Sequence, residues 1–109
     1  MRILTWNINS VRLRAHLVLQ AAQQMDADVI CLQETKTPDD KFPEQTFIDA
    51  GYAHTHYHGM KSYNGVAILS RFPFEARDIH HRTGREDCRH IAATLHPGED
   101  AGKAIELHC

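Results

Sequence analysis

No apolar run in this 109-residue chain comes near the roughly twenty residues a membrane-spanning helix needs, which excludes a transmembrane helix. The amino terminus lacks the parts of a secretory signal: Arg2 precedes a short apolar stretch that Asn7 and Asn9 interrupt, and the expected address is cytoplasmic. Cysteine is scarce. Cys31, Cys88 and Cys109 are odd in number, far apart in sequence and without C-x-x-C spacing, which argues against a disulfide framework and a structural zinc site. All three are expected to be reduced. A dominant charge is lacking too. At a net −2, bulk electrostatics does not drive the chain onto nucleic acid, so phosphate binding has to come from local clusters such as Arg12 with Arg14 or Lys36 with Lys41. Repeats and low-complexity segments are absent.

What is present is a globular composition, 42% apolar and 24% charged, over a length that suits one domain or part of one. The periodicity changes along the chain in the manner of an α/β protein. Residues 2–8 read as a mostly buried strand, and 11–25 as a helix with Leu13, Leu17, Ala21 and Met25 on its apolar stripe and Ser10 as N-cap. Residues 28–33 return as a second strand, so a crossover helix would set the two strands side by side. Pro43 opens a short helix that Gly51 closes, with Phe42 and Phe47 as a hydrophobic staple. Residues 52–58 and 66–69 form a hairpin about SYNG, and residues 88–95 and 103–109 a second one about HPGEDAG. The final KAIELHC is a strand with no turn or cap after it. The chain is therefore expected to be one incomplete domain over 1–109, the alternative being a small complete protein with an edge strand.

Two apolar strands lead into oxygen-bearing side chains: MRILTWNIN into Asn7 and Asn9, and DADVICLQETK into Glu34, with Lys36 following. If they converge, Glu34 and Asn7 suit a magnesium ion, which prefers hard oxygens, takes one or two carboxylates and keeps its waters. On residue types alone, the ordinary reading of such a carboxylate is a solvated strand end or a loop hydrogen bond, and spacing does not decide between the two. His54, His56 and His58 alternate onto one strand face, which suits either zinc or a solvated polar face. Cys31 lies within an apolar strand, where burial raises the thiol pKa and suppresses reactivity.

The segments TWNINSVR, DVICLQETK and HGMKSYNGVAILSR together resemble the exodeoxyribonuclease III group, the abasic-site endonuclease branch of the endonuclease/exonuclease/phosphatase superfamily. The resemblance spans essentially the whole chain. It implies a four-layer α/β sandwich of two packed sheets flanked by helices, of which this is the amino-terminal part. It further implies a DNA-repair nuclease using Mg2+ (or Mn2+), acting as a 3′-to-5′ exodeoxyribonuclease and abasic-site endonuclease on duplex DNA, and a monomer when complete. On the matching motifs, Asn7 and Glu34 are the catalytic and metal-binding residues, and Asn9, Lys36, Tyr63, Asn64 and Arg89 are placed near DNA. The family's later tyrosine motif, aspartates, asparagine and histidine have no counterpart here, so the chain alone is expected to be inactive. Two alternatives stay open: a non-catalytic module that binds DNA or a partner, and a phosphatase of the same superfamily.

Overall fold

Strand β1 (Ile3–Asn7) runs into helix α1 (Val11–Met25), which crosses over to β2 (Val29–Gln33) lying parallel to β1, as the periodicity predicts. The computed structural model describes residues 1–60, 64–80, 90–95 and 104–109, with backbone alone over 75–80. A single 3-10 turn (Asp39–Lys41) and α2 (Glu44–Asp49) precede β3 (His54–His58), β4 (Val66–Ser70), β5 (Phe74–His80), β6 (His90–Leu95) and β7 (Ile105–His108). The first sheet has the order β1-β2-β4-β3 and is mixed, with β4 antiparallel to both neighbours; the second is β5-β6-β7 and antiparallel throughout. Both predicted hairpins are present. Strand β5 has no counterpart in the sequence reading: FEARDIH is polar and irregular, with a bulge between Phe74 and Ala76, and it becomes a strand by pairing with β6.

Two cores explain the layering. Ile30, Leu32, Ala67 and Leu69 face the helices, where Val11, Ala15, Val18, Ala22, Phe47 and Tyr52 pack on them. Their alternate neighbours Val29, Cys31, Val66 and Ile68 face the second sheet and meet Ile91, Ala93 and Leu95. The period of two thus serves both faces, so β2 and β4 read as continuous apolar runs. Helices, mixed sheet and second sheet form an α/β architecture, the amino-terminal part of a four-layer sandwich. No described helix is long and apolar enough to cross a membrane.

Strand β1 departs from the expectation of a mostly buried strand. It is an edge strand in which only Leu4 and Trp6 pack on the core, while Ile3, Thr5 and Asn7 are exposed. Helix α1 has the predicted bounds but a different buried stripe. Val11, Ala15, Val18 and Ala22 are buried, whereas Leu13 is 69% and Leu17 and Met25 are each 40% exposed. Both sets have helical spacing; the rotation is decided where the chain leaves β1, because Ile8 and Val11 anchor its first turn in the core, and small Ala15 and Ala22 admit close approach to the sheet. In α2 the staple forms, Phe42 stacking on Phe47 at 6.0 Å, but Pro43 occupies the N-cap and Glu44 the first helical position.

At the sheet end remote from Glu34, the Arg71 guanidinium bonds Asp26 at 2.9 Å and lies over the Tyr52 ring. Asp26 is held below the usual carboxylate range by that hydrogen bond and by the Arg71 charge. Buried Tyr52 donates its hydroxyl to the Ala27 carbonyl at 2.7 Å. Tyr52→Phe keeps the ring but leaves that carbonyl short of a partner, so the urea midpoint should report a loss of about 1 kcal/mol.

Candidate active site

The ends of β1 and β2 are bound together by the backbone. Ile8 N donates to Gln33 O at 2.9 Å, Ser10 N to Glu34 O at 2.9 Å and Val11 N to Thr35 O at 3.0 Å. These bonds correct the expected role of Ser10. It occupies the N-cap position, but its side chain makes no cap hydrogen bond, and the Thr35 carbonyl takes the Val11 N–H instead. On its other side the Glu34–Lys36 segment is tied to the β3–β4 turn, Thr35 N donating to Gly65 O at 3.2 Å and Lys36 N to Asn64 O at 2.8 Å. Three segments distant in sequence are thereby laced into one edge.

That edge concentrates left-handed backbone. Asn9, Ser10, Glu34, Lys36, Asn64 and Gly65 all have φ between 49° and 97°, and among the described residues only Asp26 (φ 52°) and Gly51 (φ 103°) have positive φ elsewhere. For residues with a Cβ this costs roughly 1–2 kcal/mol each, tolerated only where surrounding contacts over-determine the chain. The alternation Glu34-Thr35-Lys36-Thr37 explains how. Thr35 and Thr37 are each 1% exposed and anchor the segment, while Glu34 and Lys36 keep access to solvent. Gly65 makes room for this anchor, since a Cβ there would collide with the Thr35 hydroxyl. Thr35 and Gly65 were not among the candidates read from the sequence; the alternation of ETKT was the available signal.

Register pairs Asn7 with Gln33, one residue before Glu34, so Asn7 and Glu34 stand at neighbouring strand ends. Lys36 Nζ donates to Asn9 Oδ1 at 2.6 Å, and the Arg14 guanidinium donates to the Asn9 carbonyl. The structure thus gathers Asn7, Asn9, Glu34, Lys36 and Asn64; Tyr63 and Arg89 lie outside the described residues. No described hydrogen bond or ion pair engages the Asn7 or Glu34 side chain, which leaves two hard oxygens at the edge. This donor set fits a magnesium-like ion that keeps most of its waters, and among the described residues no group of three His, Cys, Asp or Glu offers a more complete metal cage.

The histidine strand does not present the solvated polar face its alternation suggested. His56 and His58 are buried rather than solvated, with Phe74 packed edge-on to His54 and His56 at 6.3 and 6.5 Å. On the opposite face Thr55 and Tyr57 hydroxyls donate to the Glu44 carboxylate at 2.8 and 2.9 Å. Burial, reinforced by the Glu44 hydrogen bond and charge, pushes the Tyr57 phenol up to about 12. Its contribution to stability is whole below the ordinary value of 10 and lost as pH rises towards 12, which alkaline unfolding curves of Tyr57→Phe would reveal by the absence of that step.

Two packed sheets, a helical layer and polar strand ends at one edge define the class: an α/β sandwich with oxygen-bearing side chains gathered at one edge. The chain belongs to the endonuclease/exonuclease/phosphatase family, whose model matches residues 4–107. It is similar to exodeoxyribonuclease III of Haemophilus influenzae, 38% identical over 71 residues, or 65% of this chain and 26% of that protein. Among solved structures it is similar to NExo of Neisseria, a 3′ phosphatase bound to product DNA hairpin (33% identity, TM-score 0.83), and to an AP endonuclease of Archaeoglobus fulgidus (37%, 0.78). Each of these covers 97% of this chain, which covers 40% of theirs. The chain spans about a quarter of the length of the exodeoxyribonuclease III it matches.

Proposed function

We propose that this chain is the amino-terminal, metal-holding part of a DNA-repair nuclease that hydrolyses phosphodiester bonds of duplex DNA at abasic sites and 3′ ends. The observation that carries this reading is the lacing of Asn7 and Glu34 onto one edge by the Ile8, Ser10 and Val11 backbone bonds. The names of its relatives support the DNA substrate.

In this reading Glu34 and the Asn7 carbonyl oxygen hold Mg2+ or Mn2+, which when bound would stabilise negative charge on the phosphate and the leaving oxygen. Lys36, kept in place by Asn9, offsets phosphate charge, and the Asn9 and Asn64 polar groups line the approach of the DNA backbone. The rigid, left-handed segment holds these groups before substrate arrives, so little reorganisation is needed when water attacks phosphorus in line. Groups from outside this chain would activate that water.

The test is incision of an abasic-site duplex by a full-length protein carrying this chain, with a small phosphate ester as competing substrate. Preferential, metal-dependent incision supports the nuclease; preference for the ester sinks it in favour of a phosphatase. Lys36→Met should reduce the slope of log affinity against log salt by about 0.9, the loss of one phosphate contact. Binding titrations from low to moderate salt would read that change.

A further inference from the structure

Cys31 and Cys109 are far apart in sequence, yet the packing of the two sheets brings them into one apolar cluster. Cys31 is 4% exposed on β2 and faces the second sheet, where Cys109 packs against the same core. Cys109 is held in place by its backbone, its N–H donating to Ile91 O at 2.9 Å and its carbonyl accepting from Ile91 N at 3.0 Å. Its sulfur sits over the seam between β2 and β4, 3.5 Å from both Leu32 O and Ala67 O. There it accepts from Gln33 Nε2 at 3.4 Å, in the same apolar cluster that holds Cys31. Both are free thiols in this structure, and Cys88 lies outside the described residues.

We propose that Cys31 and Cys109 form an oxidative modification site, at which hydrogen peroxide converts the thiol pair into a disulfide that staples the second sheet to the first. The Cys109 sulfur attacks a peroxide oxygen, the O–O bond breaks, water leaves and a sulfenic acid remains. The Cys31 sulfur then attacks that sulfur, the S–O bond breaks and a second water leaves. Two thiols are oxidised by two electrons in all, one peroxide is reduced, and every proton ends in water.

The order follows from the surroundings. The Cys31 contact and the hydrogen bond from Gln33 hold the Cys109 thiol below its ordinary value. The same Cys109 contact, with burial, pushes the Cys31 thiol up, so Cys31 waits as the resolving partner. The staple would close a long loop, from β2 through β7, and so would constrain the unfolded chain strongly. It also bears on the site, because Gln33 Nε2 donates to Thr5 Oγ1 as well as to Cys109, one residue before Glu34.

Peroxide treatment of the purified full-length protein, followed by peptide mapping without reductant, tests this. The expected product joins the Cys31 and Cys109 peptides, lighter by two hydrogens and reversed by dithiothreitol, and it raises the urea midpoint. In Cys31→Ala, Cys109 should instead stop as a sulfenic acid that dimedone traps. A disulfide to Cys88 as main product, over-oxidation of Cys109 with Cys31 still alkylatable, or unchanged thiols at peroxide doses that oxidise exposed cysteines would each overturn the proposal. The mapping reads no nuclease activity, so it stands or falls apart from the proposed function.

Discussion

Glu34→Ala is expected to lower metal-dependent incision of abasic duplex DNA by more than about 100-fold in a full-length protein carrying this chain. Outer groups that only orient a ligand typically cost about 10–100-fold in affinity or activity, and in the proposed function Glu34 would be the direct carboxylate ligand, the one carboxylate at this edge among the described residues. The fold should hardly notice. The Glu34 side chain retains access to solvent and enters no described hydrogen bond, so far-ultraviolet circular dichroism and the urea midpoint should match the parent protein. Partial recovery at high Mg2+ or Mn2+ would mark weakened metal binding, whereas near-normal incision at ordinary magnesium would remove Glu34 from the centre. Asn7→Ala should act in the same direction and less strongly, because a carboxamide is a neutral donor.

Gly65→Ala is expected to cost about 3 kcal/mol of stability, and to take the site with it. Two penalties add: left-handed backbone at φ 97° for a residue with a Cβ, and the collision of that Cβ with the buried Thr35 hydroxyl. Gly51→Ala separates them. Gly51 has φ 103° but open space around a new Cβ, so it should cost only about 1–2 kcal/mol. Urea midpoints at unchanged m-values would measure both. Equal losses would mean that Thr35 moves aside freely and is no anchor. If the larger loss appears, incision by Gly65→Ala should fall even where the variant is folded, since the Thr35 N–Gly65 O bond fastens the segment carrying Glu34.

Several features were legible because local chemistry dictates them. The bounds of α1, the parallel neighbourhood of β1 and β2, the Phe42–Phe47 staple and the β3–β4 and β6–β7 hairpins all follow from periodicity, turn residues and crossover rules. Asn7 and Glu34 were visible as polar tips on apolar strands. The motifs around them carry the family resemblance, and the family model matches residues 4–107.

Other features needed the tertiary structure, for one physical reason: they depend on which surface meets which. Two stripes of α1 have helical spacing, and only the anchoring of Ile8 and Val11 decides that Val18 is buried while Leu13 is exposed. FEARDIH has no strand pattern of its own and is made a strand by β6. The alternating histidines are polar by type, yet His56 is buried with Phe74 packed edge-on to it, and His58 is buried as well. Sequence alone determined the elements, the family and the chemical groups offered at the strand ends, since these rest on contacts within a few residues. Only the packing of one sheet on another decided the strained edge around Thr35 and Gly65 and the meeting of Cys31 with Cys109, because both join segments whose proximity no local rule encodes.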